Sequence, residues 1–319
     1  MHSQGVLLTV IVSFVALDFI FWVMTNYLNE RLKNQPLSAE GAEIFNAEDY
    51  AKSMAYGTAQ YKFELLTGSV RTIVILLAIV FGWFAWLDQL IRENLHNELL
   101  VSVSFVGVLL VISTLASLPG SYYSTFVIEE KFGFNKSTRK LFFQDAIKQL
   151  LLTLILGLSL FAAVAWIYSA LKDQFWLVAW LLFAAVSLFM FMFGTRIFLP
   201  MFNKLKPLPD GELRSAVEEY CQSQGFPLTK LYEMDASKRS TKLNAFFSGM
   251  GRVKIIGLFD TLIEKLTIPE TVAVLAHEVG HYKRKHVYAM FLFSNVQTLI
   301  IFSLMGCLLY TSPSPRDQR

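Results

Sequence analysis

Thr267-Ile268-Pro269-Glu270 and, seven residues on, His277-Glu278-Val279-Gly280-His281 run into a long apolar stretch that begins near Ala289. Thr267 and Glu270 have the spacing of a capping box, and Pro269 is tolerated in a first helical turn, so the segment reads as a helix. A helix advances about 100° per residue, which puts His277 and His281 on one face, one turn apart. Two imidazoles so placed can bind one Zn²⁺ at about 2.0–2.1 Å each. Glu278 points to the same side and can take a proton from water activated by the metal. An amphipathic helix with two solvated histidines is the plainer alternative for these residues.

Outward from this helix, the composition belongs to a membrane protein. The chain has 319 residues, 54% hydrophobic and only 17% charged; its mean hydropathy is +0.46. About 20 apolar residues cross a bilayer core, and six stretches qualify: 6–27, 70–88, 99–119, 149–171, 175–198 and 288–310. The first lacks a basic leader and a cleavage site, so it reads as a span. Stretches 28–69 and 120–148 read as loops rich in Lys and Arg, the first with a possible amphipathic helix pair. Residues 199–287 hold most of the remaining basic residues. Basic loops face the cytoplasm, which puts the N-terminus outside and the His277–His281 motif on the cytoplasmic side. The net charge of +3 follows from this bias and needs no nucleic-acid partner. Cys221 and Cys307 lie in no metal-binding or disulfide pattern.

The domain organisation that follows is a membrane domain over 1–198 with five transmembrane helices, a cytoplasmic domain over 199–287, and a sixth transmembrane helix over 288–310. Within 199–287, Glu212–Ser223 reads as a helix, 228–234, 243–248 and 253–259 as strands, and 260–265 as a helix start. Gly249-Met250-Gly251 reads as a turn. The fold class is therefore mainly α: a multi-span α-helical membrane protein with a small α+β zincin-like cytoplasmic domain. Thr311–Arg319 is polar and Pro-rich and reads as a disordered or non-native tail.

Three blocks resemble the integral-membrane zinc endopeptidases of the type I CAAX prenyl protease family. They are Phe126–Lys136; Lys238–Gly249 with Ile256–Leu262; and Val274–Lys283 with His286 beyond. The resemblance covers the chain from the first span to about residue 310. It implies that His277 and His281 are zinc ligands and Glu278 the catalytic glutamate. It implies that Asn244, Ala245, Phe246 and Phe247 pair with extended substrate, a role suited to an edge strand. An ordinary core strand is the other reading of the two Phe residues. His286 is about 140° around a continuous helix from His281, off the ligand face, and reads as a substrate or outer-shell residue, or as a solvated one among Lys283, Arg284 and Lys285.

The resemblance also implies a third zinc ligand, a Glu in a later E-x-x-x-D helix. After His281 the only acidic residue is Asp317, so this chain is expected to be a C-terminally truncated form lacking that ligand, inactive or poorly metallated as it stands. The function expected of the family is a zinc metalloendopeptidase acting on membrane-associated or C-terminally prenylated (CAAX) proteins. Its cofactor would be Zn²⁺, and its partners peptide or protein substrates and membrane lipids. It would sit in a bacterial inner membrane or endoplasmic reticulum membrane. The alternative is a non-catalytic membrane scaffold or binding protein that keeps the fold. A transporter fits less well, because the spans carry few charges and no paired broken helices.

Overall fold

The computed structural model describes residues 2–33, 38–44, 46–171, 174–248 and 254–311. The expected turn at Gly249-Met250-Gly251, Asp317 and all of the tail beyond Thr311 lie outside them. The helices are α1 (His2–Lys33), α2 (Ala39–Ile44), α3 (Ala47–Val80), α4 (Trp83–Arg92) and α5 (Glu98–Tyr123), which continues as a π-helical turn (Ser124–Glu129). Then come α6 (Arg139–Leu171), α7 (Phe175–Phe202), β1 (Leu205–Pro207), α8 (Glu212–Ser223), β2 (Leu228–Met234) and β3 (Ala245–Ser248). The last elements are β4 (Lys254–Phe259), α9 (Asp260–Lys265), α10 (Ile268–Lys283) and α11 (His286–Thr311).

Among the described residues six helices are long and apolar enough to cross a membrane: Leu8–Lys33, Ala47–Val80, Glu98–Glu129, Arg139–Leu171, Phe175–Phe202 and His286–Leu308. Two differ from expectation in a way that matters. The stretch 70–88 is not one span, because the chain turns at Gly82 in the left-handed region (φ 69°), which only glycine adopts at little cost. The span instead extends backwards; 28–69 is mostly helix, as its helix-pair reading expects, but these helices run on into the spans. Likewise 120–148 is largely helical, with Phe126 inside the π-helical turn.

The chain packs as two compact units, Met1–Asn135 with Ala146–Leu158, and Lys136–Asp145 with Ser159–Arg319. In the first, α1 and α3 meet where Trp22 covers Gly68, and Glu30 accepts a hydrogen bond from Thr58 at 2.6 Å. Tyr56 of α3 stands edge-on to Phe132 and Phe134 and donates to Glu129 at 3.3 Å. These contacts hold the first resemblance block.

The second unit contains the sheet, in the order β1-β2-β4-β3. β2 and β4 are parallel, while β1 and β3 are antiparallel edge strands. Ile256 and Leu258 alternate along β4 and face Val217 and Cys221 of α8 and Leu275 and Val279 of α10, forming one buried core. Period two on a strand and a turn-spaced stripe on each helix make that core. In the same unit α7 and α11 pair through Asn295. Its carbonyl accepts from the Trp180 indole at 3.1 Å and its side-chain oxygen from Ser187 at 3.2 Å.

Candidate metal centre

Helix α10 begins at the expected cap. The Thr267 backbone N–H and hydroxyl both donate to the Glu270 carboxylate, at 2.8 and 2.7 Å. Those bonds hold the Glu270 carboxyl below the ordinary carboxylate range. Thr271, Leu275 and Val279 are buried, so one face of the helix is fixed in the core. That anchoring sends His277 and His281 to the other side, with Glu278 half-buried between the two faces.

His277 Nε2 and His281 Nε2 are 3.0 Å apart. Two ligand nitrogens bound to one zinc at about 2.0–2.1 Å stand about 3.0–3.4 Å from each other at angles between roughly 94° and tetrahedral. The separation of the pair therefore fits a shared cation. Among the described residues no group of three His, Cys, Asp or Glu side chains comes together to hold a metal.

His286 is not where a continuous helix would carry it. α10 stops at Lys283, Lys285 takes a left-handed conformation (φ 56°), and α11 starts afresh at His286. The break resets the angular phase and brings His286 Nδ1 to 2.9 Å from His281 Nδ1. Lys283 donates to Gln224 at 2.7 Å, so this member of the basic cluster ties α10 to the end of α8.

The segment Asn244–Phe247 forms the start of β3 and the residue before it. Phe246 pairs with Gly257 and its ring lies over that residue. Phe247 points to the opposite face and packs edge-on against Phe226 and Tyr282 within the core. The second resemblance block also pins itself together. Phe259 N–H donates to the Asn244 carbonyl at 3.1 Å, and the Thr261 hydroxyl donates to that of Lys242 at 2.8 Å. Arg239 donates to Asp145 at 2.7 and 2.9 Å and to Asn203 at 2.9 Å.

One residue near the centre was missed. Lys254 is 1% exposed, its Nζ 4.4 Å above the Tyr282 ring, and burial lowers its pKa. Its alternation with Ile256 and Leu258 was the available signal, since period two puts all three on the covered face.

Residues 26–204 match the family described as CAAX prenyl protease N-terminal, five membrane helices, and residues 207–319 match peptidase family M48. The chain is 37% identical over 273 residues to CAAX prenyl protease 1 of Saccharomyces cerevisiae, covering 81% of this chain and 59% of that protein. It is 33% identical over 308 residues to the CAAX prenyl protease 1 homolog of Oryza sativa subsp. japonica, covering 94% and 72%. The crystal structure of S. mikatae Ste24p is similar at a TM-score of 0.84 and 35% identity, covering 93% of this chain and 72% of that one. The chain spans 59% and 54% of the length of the two yeast relatives, from S. cerevisiae and Schizosaccharomyces pombe. With the family matched along both the membrane helices and the sheet-bearing region, and relatives above 30% identity over most of the chain, this protein belongs to the CAAX prenyl protease family of M48 peptidases.

Proposed function

We propose that the protein is a multi-pass membrane zinc metalloendopeptidase that hydrolyses peptide bonds of membrane-associated or C-terminally prenylated (CAAX) proteins. The observation that carries this reading is the 3.0 Å approach of His277 Nε2 and His281 Nε2 on α10, with Glu278 between them in sequence. The two imidazoles supply two of the three protein ligands that catalytic zinc takes, and family likeness implies a Glu as the third. Bound there, zinc would supply Lewis acidity that lets water react at neutral pH.

The chain's own residues do the rest. The core contacts of Leu275 and Val279 hold α10 rigid, so the ligand nitrogens are preorganised. The Glu278 carboxylate accepts the proton of the attacking water and delivers it to the leaving amine. An extended peptide adds to the outer side of β3, along Asn244 to Phe247, by backbone hydrogen bonds. The packing of Phe247 supports a backbone role there, since its ring is committed to the core. Lys204 and Lys206 just after α7, and Lys283, Arg284 and Lys285 just before α11, support a cytoplasm-facing site, in an endoplasmic reticulum or bacterial inner membrane.

The test uses the purified protein in a form that carries the third, Glu ligand that family likeness implies, a farnesylated CAAX peptide and three versions: unsubstituted, Glu278→Gln and His277→Ala. The reading expects zinc in the first two, none in the third, and cleavage only in the first. Zinc-free protein with no cleavage in any of the three would contradict it and leave the scaffold reading.

A further inference from the structure

We propose that His286 is a positioning residue for the metal centre: it holds the His281 imidazole in the tautomer and orientation that turn Nε2 toward Nε2 of His277. This rests on the metal reading above and deepens it. Three imidazoles stand in a row. His281 Nε2 is 3.0 Å from His277 Nε2, and His281 Nδ1 is 2.9 Å from His286 Nδ1. A neutral imidazole carries one proton, on one nitrogen only. If the Nε2 lone pair of His281 is to face a cation, its proton sits on Nδ1. The His286 Nδ1 lone pair is in place to accept that proton, which in turn leaves the His286 proton on its own Nε2.

The same geometry argues against His286 as a metal ligand. The two nitrogens of an imidazole point away from one another, and His286 meets the nitrogen of His281 that faces away from the ligand pair. A cation shared by His277 and His281 is out of its reach. Metal-bound histidines commonly donate their second N–H to a fixed acceptor, which locks the ring and raises its basicity. That acceptor is usually a carboxylate or carbonyl, and here a third imidazole takes the place.

A second, independent feature points the same way. Lys285 holds a left-handed backbone (φ 56°), a conformation that a non-glycine residue adopts only at a steric cost. A continuous helix would place residue 286 about 140° away from residue 281. The left-handed residue is what returns His286 to His281, so the backbone is strained at the one position that creates the contact.

The experiment measures Zn²⁺ affinity in detergent, by competition with a chromophoric chelator, of the protein in the form that carries the third, Glu ligand. The proteins are unsubstituted, His286→Ala, His286→Asn and His277→Ala. Asn offers its side-chain oxygen near the place of Nδ1, so it keeps an acceptor. His286→Ala is expected to weaken zinc binding by about 10–100-fold, His286→Asn to recover most of that loss, and His277→Ala to abolish retention. Unchanged affinity in His286→Ala, with zinc lost in His277→Ala, overturns the positioning role and leaves the protease reading standing. An Asn variant as weak as the Ala variant also overturns it. No zinc in any of the four overturns both.

Discussion

The sheet region and the membrane helices use the same side chains in opposite ways. Around the sheet, Ile256, Leu258 and Leu275 are 0% exposed, while Phe14 of α1 is 74% exposed and Phe293 of α11 76%. Water drives the first set inside at roughly 25 cal/mol per Å² of apolar surface. Lipid gives no such drive, so packing between spans depends on close approach and interhelical hydrogen bonds. Both regions nevertheless seat an aromatic ring on a glycine: Phe246 on Gly257 in the sheet, Trp22 on Gly68 and Trp176 on Gly306 between helices. In the sheet the seat adds to a core that would exist without it. In the helix pairs it is a larger share of what holds them together.

The largest effect separates the two regions by burial. Leu275→Ala, with Leu275 wholly buried under the sheet, should destabilise the protein by about 2–5 kcal/mol. Phe293→Ala should change stability by less than about 0.5 kcal/mol. Denaturant titration in detergent measures both, and similar losses would erase the contrast. Next come the glycine seats. A Cβ on Gly306 would meet Trp176 at 2.8 Å, so Gly306→Ala should cost about 1–3 kcal/mol, with Gly257→Ala in the same range. A neutral Gly306→Ala would mean that α7 and α11 do not need close contact there. Smaller again is the polar link between the same helices. Ser187→Ala removes the hydroxyl bonded to Asn295 and should cost about 0.6 kcal/mol, the usual size of such bonds between spans.

The smallest effect is a pH dependence. Thr267 holds the Glu270 carboxyl below its ordinary value. Its stabilisation is therefore complete above the unfolded value of about 4.3 and fades as pH falls through the lower folded value. Apparent Tm followed from neutral to acid pH should fall slightly less in Glu270→Gln than in the unsubstituted protein. An identical fall would show that the cap does not tie α10 down. Cys221 belongs to the same region, with burial pushing its thiol up to about 11. It should stay unalkylated by maleimide near neutral pH until the protein unfolds.

What could be read in advance follows the same division. α8, α9 and β2 were legible to the residue, because short amphipathic elements with one wet side write their period into the sequence. β1 was not, since Leu205–Pro207 is three residues long and ends in a proline, tolerated on an edge strand but no strand signal. In the membrane region composition announced the spans and hid their ends. The turn at Gly82 sits inside an unbroken apolar run, and polar residues at 47–69 continue a helix that composition alone reads as loop. The His277, Glu278 and His281 arrangement was legible because one helical turn determines it. The place of His286 was not, because it depends on a single backbone angle at Lys285.

Anomalous X-ray scattering at the zinc edge tests most directly whether His277 and His281 hold a cation between their ring nitrogens. Crystals of the protein in the form that carries the third, Glu ligand, grown with zinc, should show one strong peak about 2.0–2.1 Å from both His277 Nε2 and His281 Nε2. No peak there, or a zinc bound elsewhere while these two nitrogens share only a proton, would contradict this placement.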